Sequence, residues 1–246
     1  MEWSADFSYG YYKRILSVLS SEFECVKLAD IPKIEIKKPV VCLRHDIDLD
    51  PEKALRMAEI EQKYGFFSTY YVMINSPLYN LEDHLSTLYK LIDLGNEIGL
   101  HFYRKEIHSL NEISLEVEKD CEKLEKLLGI RVRTVSFHKP PPQVLRSSLY
   151  VGGRVNAYSA KLMDWYISDS KGRFRVGDPI EEIKRRRCNI LQLLTHPIWW
   201  GEEHASANER IKRWFKEKTI GFNRKKKEEF ARKIYEEIGV EVDEYE

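Results

Sequence analysis

Residues able to do acid–base and metal chemistry recur in this chain at the ends of short apolar runs: Arg44-His45-Asp46-Ile47-Asp48, His101, His138, Ser168-Asp169-Ser170 and Thr195-His196-Pro197. Imidazoles with one or two carboxylates and no thiolate make an open site for zinc, iron, manganese or cobalt that retains a bound water. Such an ion lowers the pKa of that water, a carboxylate can take its proton, and a histidine can protonate a leaving amine. The chemistry these side chains could do together is metal-assisted hydrolysis. Each is a weak signal alone, since a single strand-end histidine is more often a hydrogen-bonded structural residue. Their shared placement carries the inference.

The elements that must position them follow from the apolar pattern. Val40-Val41-Cys42-Leu43 is an uninterrupted apolar run, as expected of a strand covered on both faces. Residues two apart share a strand face, so Arg44, Asp46 and Asp48 point one way and His45 and Ile47 the other. Converging carboxylates repel unless a cation or a shared proton relieves them. Asp50-Pro51 marks a helix start and Tyr64-Gly65 its end. Further strands are predicted over 66–73, 97–101, 134–138, 155–158, 165–168 and 189–195. Helices are predicted over 6–23, 81–94, 111–128, 179–186 and, interrupted near Gly221, 205–238. This alternation implies a parallel α/β sheet, and about seven units on one core suggest a (β/α) barrel with extra N- and C-terminal helices. In such a barrel every strand end opens on the same face, which would gather the polar clusters into one pocket. Without a repeat, low-complexity tract or linker, residues 1–246 read as a single domain.

Composition narrows the partners. Lys plus Arg and Asp plus Glu each total 40, so the net charge is zero and no global field favours nucleic acid or an anionic membrane. The basic runs Arg185-Arg186-Arg187 and Arg224-Lys225-Lys226-Lys227 lack aromatic interleaving, and the second is followed by Glu228-Glu229, which compensates it on a helix face. No apolar stretch approaches the roughly 18 residues of a membrane span, and the first residues lack a signal-peptide pattern, so a cytoplasmic protein is expected. Cys25, Cys42, Cys121 and Cys188 lack CxxC spacing and read as free thiols.

Over roughly residues 40–200 these motifs resemble, in order, those of the polysaccharide deacetylases of the NodB-homology type, carbohydrate esterase family four. The resemblance implies the irregular seven-stranded barrel of that family and one divalent ion, zinc foremost. Asp46-Ile47-Asp48 is similar to the first motif, implying Asp46 as catalytic base and Asp48 as metal ligand. Glu97-Ile98-Gly99-Leu100-His101 is similar to the second, implying His101 as a ligand. That family places another ligand histidine four residues on, where this chain has Lys105. His138 and His108 are the candidates to replace it, and His138 is preferred because a strand-end imidazole is held more rigidly than one on a loop. Phe137-His138-Lys139-Pro140-Pro141 resembles a variant of the third motif, whose arginine orients the base. Leu193-Leu194-Thr195-His196 is similar to the fifth, implying His196 as general acid, and Asp169 corresponds to the acidic residue that tunes it.

Supporting roles fall to Arg44, which shares the Asp46 face and could keep it ionised, and to His45, which could brace the strand. Trp199 and Trp200 could stack on a sugar or simply pack, and Lys171, Arg173 and Arg175 could meet an anionic group or form a solvated loop. The expected function is removal of an acyl group, N-acetyl foremost, from an amino sugar or related carbohydrate, as a soluble precursor rather than assembled polymer. Two rivals are a non-catalytic sugar-binding relative, motivated by Lys105, and a metal-dependent amidase acting on another carbon–nitrogen bond.

Overall fold

The computed structural model describes residues 6–104, 109–145, 148–185 and 187–242. Helix α1 (Tyr9–Glu22) starts at Ser8, whose side chain accepts the Tyr11 amide proton, and buries Tyr9, Tyr12, Ile15, Leu16 and Leu19 along one stripe. A short strand β1 (Glu24–Cys25) precedes β2 (Val40–Ile47), which is buried along its whole length. Strands and helices then alternate: α2 (Glu52–Lys63), β3 (Ser68–Val72), α3 (Leu85–Asp93), β4 (Glu97–Phe102), α4 (Leu110–Leu128) and β5 (Thr134–Phe137). A tight hairpin, β6 (Tyr150–Val151) and β7 (Arg154–Asn156), leads to β8 (Trp165–Ser168), α5 (Pro179–Arg185) and β9 (Ile190–Thr195), and helices α6 (Ala207–Lys218) and α7 (Arg224–Ile238) complete the order.

The sheet runs β6-β7-β5-β4-β3-β2-β9-β8, with β1 pairing the first residues of β2. Every pairing is parallel except β6 with β7. The result is a mixed α/β fold whose curled, half-barrel sheet of parallel strands is flanked by helices. Among the described residues no strand pairing joins β8 to β6 or β7. That side is bridged by side chains, with Gln192 of β9 donating to the Ala157 carbonyl at 3.1 Å.

Residue alternation along β2 divides the core. Val40 and Cys42 face the concave side with Tyr71, Val155, Ala157, Leu162 and Ile190, where Leu28 and Ile31 plug the lower end. Val41 and Leu43 face outward against α1, α2 and the C-terminal helices, and Ile47 faces the α2, α3 and α4 side. Arg44, Asp46 and Asp48 continue the concave face and His45 the outer one, as the strand period predicts. Gly99 matters to this interior. A Cβ there would lie 2.5 Å from the Tyr71 ring and 2.7 Å from Thr134 Oγ1, so only glycine lets Tyr71 lie across the floor.

Helix ends follow the local signals. Asp50 accepts the Glu52 amide at 3.1 Å, and its other oxygen takes the Trp214 indole proton at 2.7 Å, tying α2 to α6. Gly129 and Gly239 terminate α4 and α7 in the left-handed conformation. No helix among the described residues is long and apolar enough to cross a membrane.

Candidate metal centre

Parallel pairing brings the C-terminal ends of β2, β4, β5 and β9 to one rim. Asp48, His101 and His138 meet there, each offering a ligand atom within 4.8 Å of the others. His101 Nε2 lies 3.0 Å and His138 Nδ1 3.1 Å from the same Asp48 oxygen. The second nitrogens differ: His101 Nδ1 is hydrogen-bonded to Ser136 Oγ at 2.6 Å, whereas His138 Nε2 makes no hydrogen bond and lies at ion-pair range, 3.3 Å, from a Glu237 carboxylate oxygen. Burial alone would raise the Asp48 carboxyl, but the imidazoles of His138, His101 and His196 hold it well below the usual carboxylate range. His138 is shifted the other way, because Asp48 outweighs the effect of burial. Two imidazoles, one carboxylate and an open side facing a cleft fit a catalytic divalent ion better than a closed structural site.

Asp46 lies beside this cluster, 2% exposed. Arg44, fully buried, donates to both of its oxygens, from Nε at 2.9 Å and Nη2 at 2.7 Å, and Ser136 Oγ reaches the first at 3.3 Å. The guanidinium is sandwiched between the rings of Tyr158 at 4.4 Å and Tyr71 at 5.3 Å, and its Nη1 donates to Gln192 at 3.2 Å. Burial would raise the Asp46 carboxyl, yet Arg44 prevails and holds it below the ordinary value. Arg44 thus fixes the orientation of the Asp46 carboxylate from two residues earlier on the same strand.

His196 follows β9 and is held by Asp169, which is completely buried. Both Asp169 oxygens accept the His196 backbone N–H, and Oδ1 lies 2.6 Å from the ring Nδ1. Trp200 donates its indole proton to Oδ2 at 2.9 Å. Nε2 faces the cluster, 3.8 Å from Asp48. Burial would lower the imidazole, but Asp169, with Asp48 and Asp46 behind it, lifts it to about 9. Asp169 thus favours the protonated ring, and Arg44 favours the ionised Asp46.

Asp46, Asp48, His101, His138 and His196 all line one cleft of about 380 Å³, together with Phe137, Tyr158, Lys171, Trp199 and the last turn of α7. Trp199 forms part of the wall although it is only 2% exposed. Arg44 and Asp169 support cleft residues from behind. His45 lies on the outer face, bonded to Glu61 at 2.7 Å and to Thr195 Oγ1 at 2.7 Å and stacked on Tyr70, so it braces the strand and is remote from any cleft ligand. Lys105 and His108 lie outside the described residues, as does Arg186. Arg224 pairs with Glu228 at 2.9 Å, the compensation that its helical spacing predicts. All four cysteines are free.

Sequence reasoning missed Ser136, Tyr158 and Glu237. Ser136 and Tyr158 lie on or beside strands that the pattern did place. Trp200, open between stacking and packing in the sequence, instead anchors Asp169, and no local signal tied Glu237, on a helix about a hundred residues away, to His138.

No family model and no curated relative matches this chain. Solved structures resemble it at low identity. They include the peptidoglycan deacetylase PdaC from Bacillus subtilis, 18% identical over 82% of this chain and 98% of that one, with a TM-score of 0.47. A Streptococcus mutans CE4 esterase is 13% identical over 70% and 80%, at 0.48. BA3943 from Bacillus anthracis, described as a CE4 family pseudoenzyme, is 16% identical over 76% of this chain, at 0.43, and this chain spans 63% of its length.

Proposed function

We propose that this chain is a metal-dependent hydrolase that removes an acyl group, N-acetyl in the first instance, from an amino sugar. The observation that carries the reading is the pair of buried charge contacts flanking the Asp48, His101 and His138 cluster: Arg44 grips both Asp46 oxygens, and Asp169 lies 2.6 Å from the His196 ring. Asp46 is held ionised by Arg44, and His196 is held protonated by Asp169. Environments that push two titratable groups apart in this way assign the base and the acid.

Asp48, His101 and His138 would hold the ion. When bound, a divalent ion supplies Lewis acidity, making a water more acidic and polarising a carbonyl. Asp46 accepts a proton on its carboxylate, and the Arg44 clamp keeps that carboxylate oriented into the cleft. His196 delivers its Nε2 proton to the departing amine nitrogen, and Asp169 stabilises the imidazolium until that transfer. Phe137 and Trp199, both buried, and the half-buried Tyr158 line the cleft where these transfers occur.

The amino-sugar class rests on the ordered motifs ending in Asp46-Ile47-Asp48, His101 and His196. The rival reading, a sugar-binding relative without turnover, is motivated by Lys105 standing where the deacetylase pattern has a ligand histidine. His138 supports the catalytic reading, because it completes the donor set from another strand. The test is acetate release from a panel of N-acetyl amino sugars by metal-loaded protein. Asp46→Asn and His196→Ala should each lower turnover by about 10²–10⁴-fold. Turnover that survives both changes would refute the assigned roles, and no turnover on any amide would favour the rival.

A further inference from the structure

Helix α7 ends in a way that its own energetics disfavour. Glu237 lies in the last turn, where unpaired backbone carbonyls already concentrate negative charge, and it is only 6% exposed. Facing it, Lys139 adopts φ 50, a left-handed conformation that is strained for a lysine. That backbone aims Nζ at α7, where it donates to the Glu236 carbonyl at 2.6 Å and lies 3.0 Å from Glu237 Oε2. Tyr103 donates its hydroxyl proton to Glu237 Oε1 at 2.7 Å. A buried acid at the unfavourable end of a helix, anchored from two loops at the expense of backbone strain, is a local conflict of the kind that marks functional sites.

What this carboxylate reaches is His138. Oε2 lies 3.3 Å from Nε2, at ion-pair range without hydrogen-bond alignment, while Nδ1 of the same ring faces Asp48. The Tyr103 ring also packs edge-on against His138 at 5.4 Å. We propose that Glu237 is a positioning residue for His138. It holds the proton on Nε2, so that the Nδ1 lone pair is presented to the ion, and it thereby makes the end of α7 part of the metal centre. His101 is instead hydrogen-bonded by Ser136, a neutral hydroxyl, so the two rings are held by different chemistry. The inference rests on the reading of Asp48, His101 and His138 as ligands. Its consequence is that metal affinity depends on a helix far from the motif-bearing strands.

The test is the cobalt(II) dissociation constant of the full chain, measured by competition with a chromophoric chelator, alongside the visible spectrum of the bound cobalt. Glu237→Gln should weaken binding about 10–100-fold and alter the cobalt bands. Tyr103→Phe keeps the ring against His138 and removes one anchor of Glu237, so it should weaken binding in the same direction by at least twofold. Melting of the chelator-treated variants reports folding separately from affinity. Affinity and spectrum unchanged in both variants would overturn the proposal, as would a Glu237→Gln protein that melts earlier but binds cobalt as wild type does, which is the signature of a purely structural acid. Wild-type protein that takes up no cobalt would instead remove the ligand assignment itself.

Discussion

Arg44 holds both carboxylate oxygens of Asp46 from two residues earlier on the same strand, and the concave side of the sheet is arranged around that grip. A bidentate pair with no solvent access is strong only while both partners are present. Its rings above and below, Tyr158 and Tyr71, fix the guanidinium plane.

Arg44→Met should therefore cost about 3–5 kcal/mol, because it leaves a buried carboxylate without its counter-charge. The Asp46 carboxyl is held below its ordinary value in the folded protein. Its contribution to stability is full above the ordinary carboxylate range and is lost as pH falls through the depressed folded value. Removing Arg44 moves that loss, and the acid limb of kcat/KM, to higher pH. Denaturant midpoints and rate profiles would check this, and an unmoved acid limb would contradict it.

Asp169→Asn tests the other flank. His196 is raised to about 9, so its protonated form should sustain turnover through neutral pH and lose it as pH rises through that value. The substitution should bring the alkaline limb down towards the ordinary histidine value of about 6.5. A limb that stays near its original position would show that Asp169 does not set the acid.

Much of this arrangement was legible in the sequence, because the strand period is two. One apolar run followed by alternating charges was enough to place Arg44, Asp46 and Asp48 on one face and His45 on the other. His138 could be preferred as a ligand because the predicted strand ends there, and the observed one stops one residue earlier, at Phe137. What could not be read was long-range or very short. Glu237 belongs to a helix whose charged pattern looks solvated, and the β6–β7 hairpin has strands too brief for alternation. Its Gly152-Gly153 pair, at φ 54 and 68, was the one available cue for a tight turn. The Trp200 bond to Asp169 was equally hidden, because an indole's single donor gives no sign in sequence of what it will meet.

Glu61→Gln probes the bracing network on the outer face. Glu61 is fully buried and takes bonds from Tyr12, Ser68 at 2.7 Å and Tyr70 at 3.0 Å, beside His45. Burial would raise its carboxyl, but His45 and these hydroxyls bring it below the ordinary value. Its stabilisation is thus present above the usual glutamate range and lost as pH falls through the folded value. The variant should lose about 1–3 kcal/mol at neutral pH and show a shallower acid decline in chemical denaturation. Wild-type stability at neutral pH would contradict this.

Gly99→Ala should destabilise by about 1–3 kcal/mol through overpacking against Tyr71. Displacement of that ring also loosens Arg44, so turnover should fall more than folding alone explains. Thermal melts paired with assays on the folded fraction would check it, and an alanine accommodated without loss of either would show that the floor is not tightly packed.

The most direct measurement is zinc stoichiometry by titration of chelator-treated protein against a chromophoric competitor, for wild type and Asp48→Ala. One equivalent bound by the wild type and lost in the variant is the predicted result. Failure of the wild type to bind, or one equivalent retained by Asp48→Ala, would contradict a metal centre built on Asp48, His101 and His138.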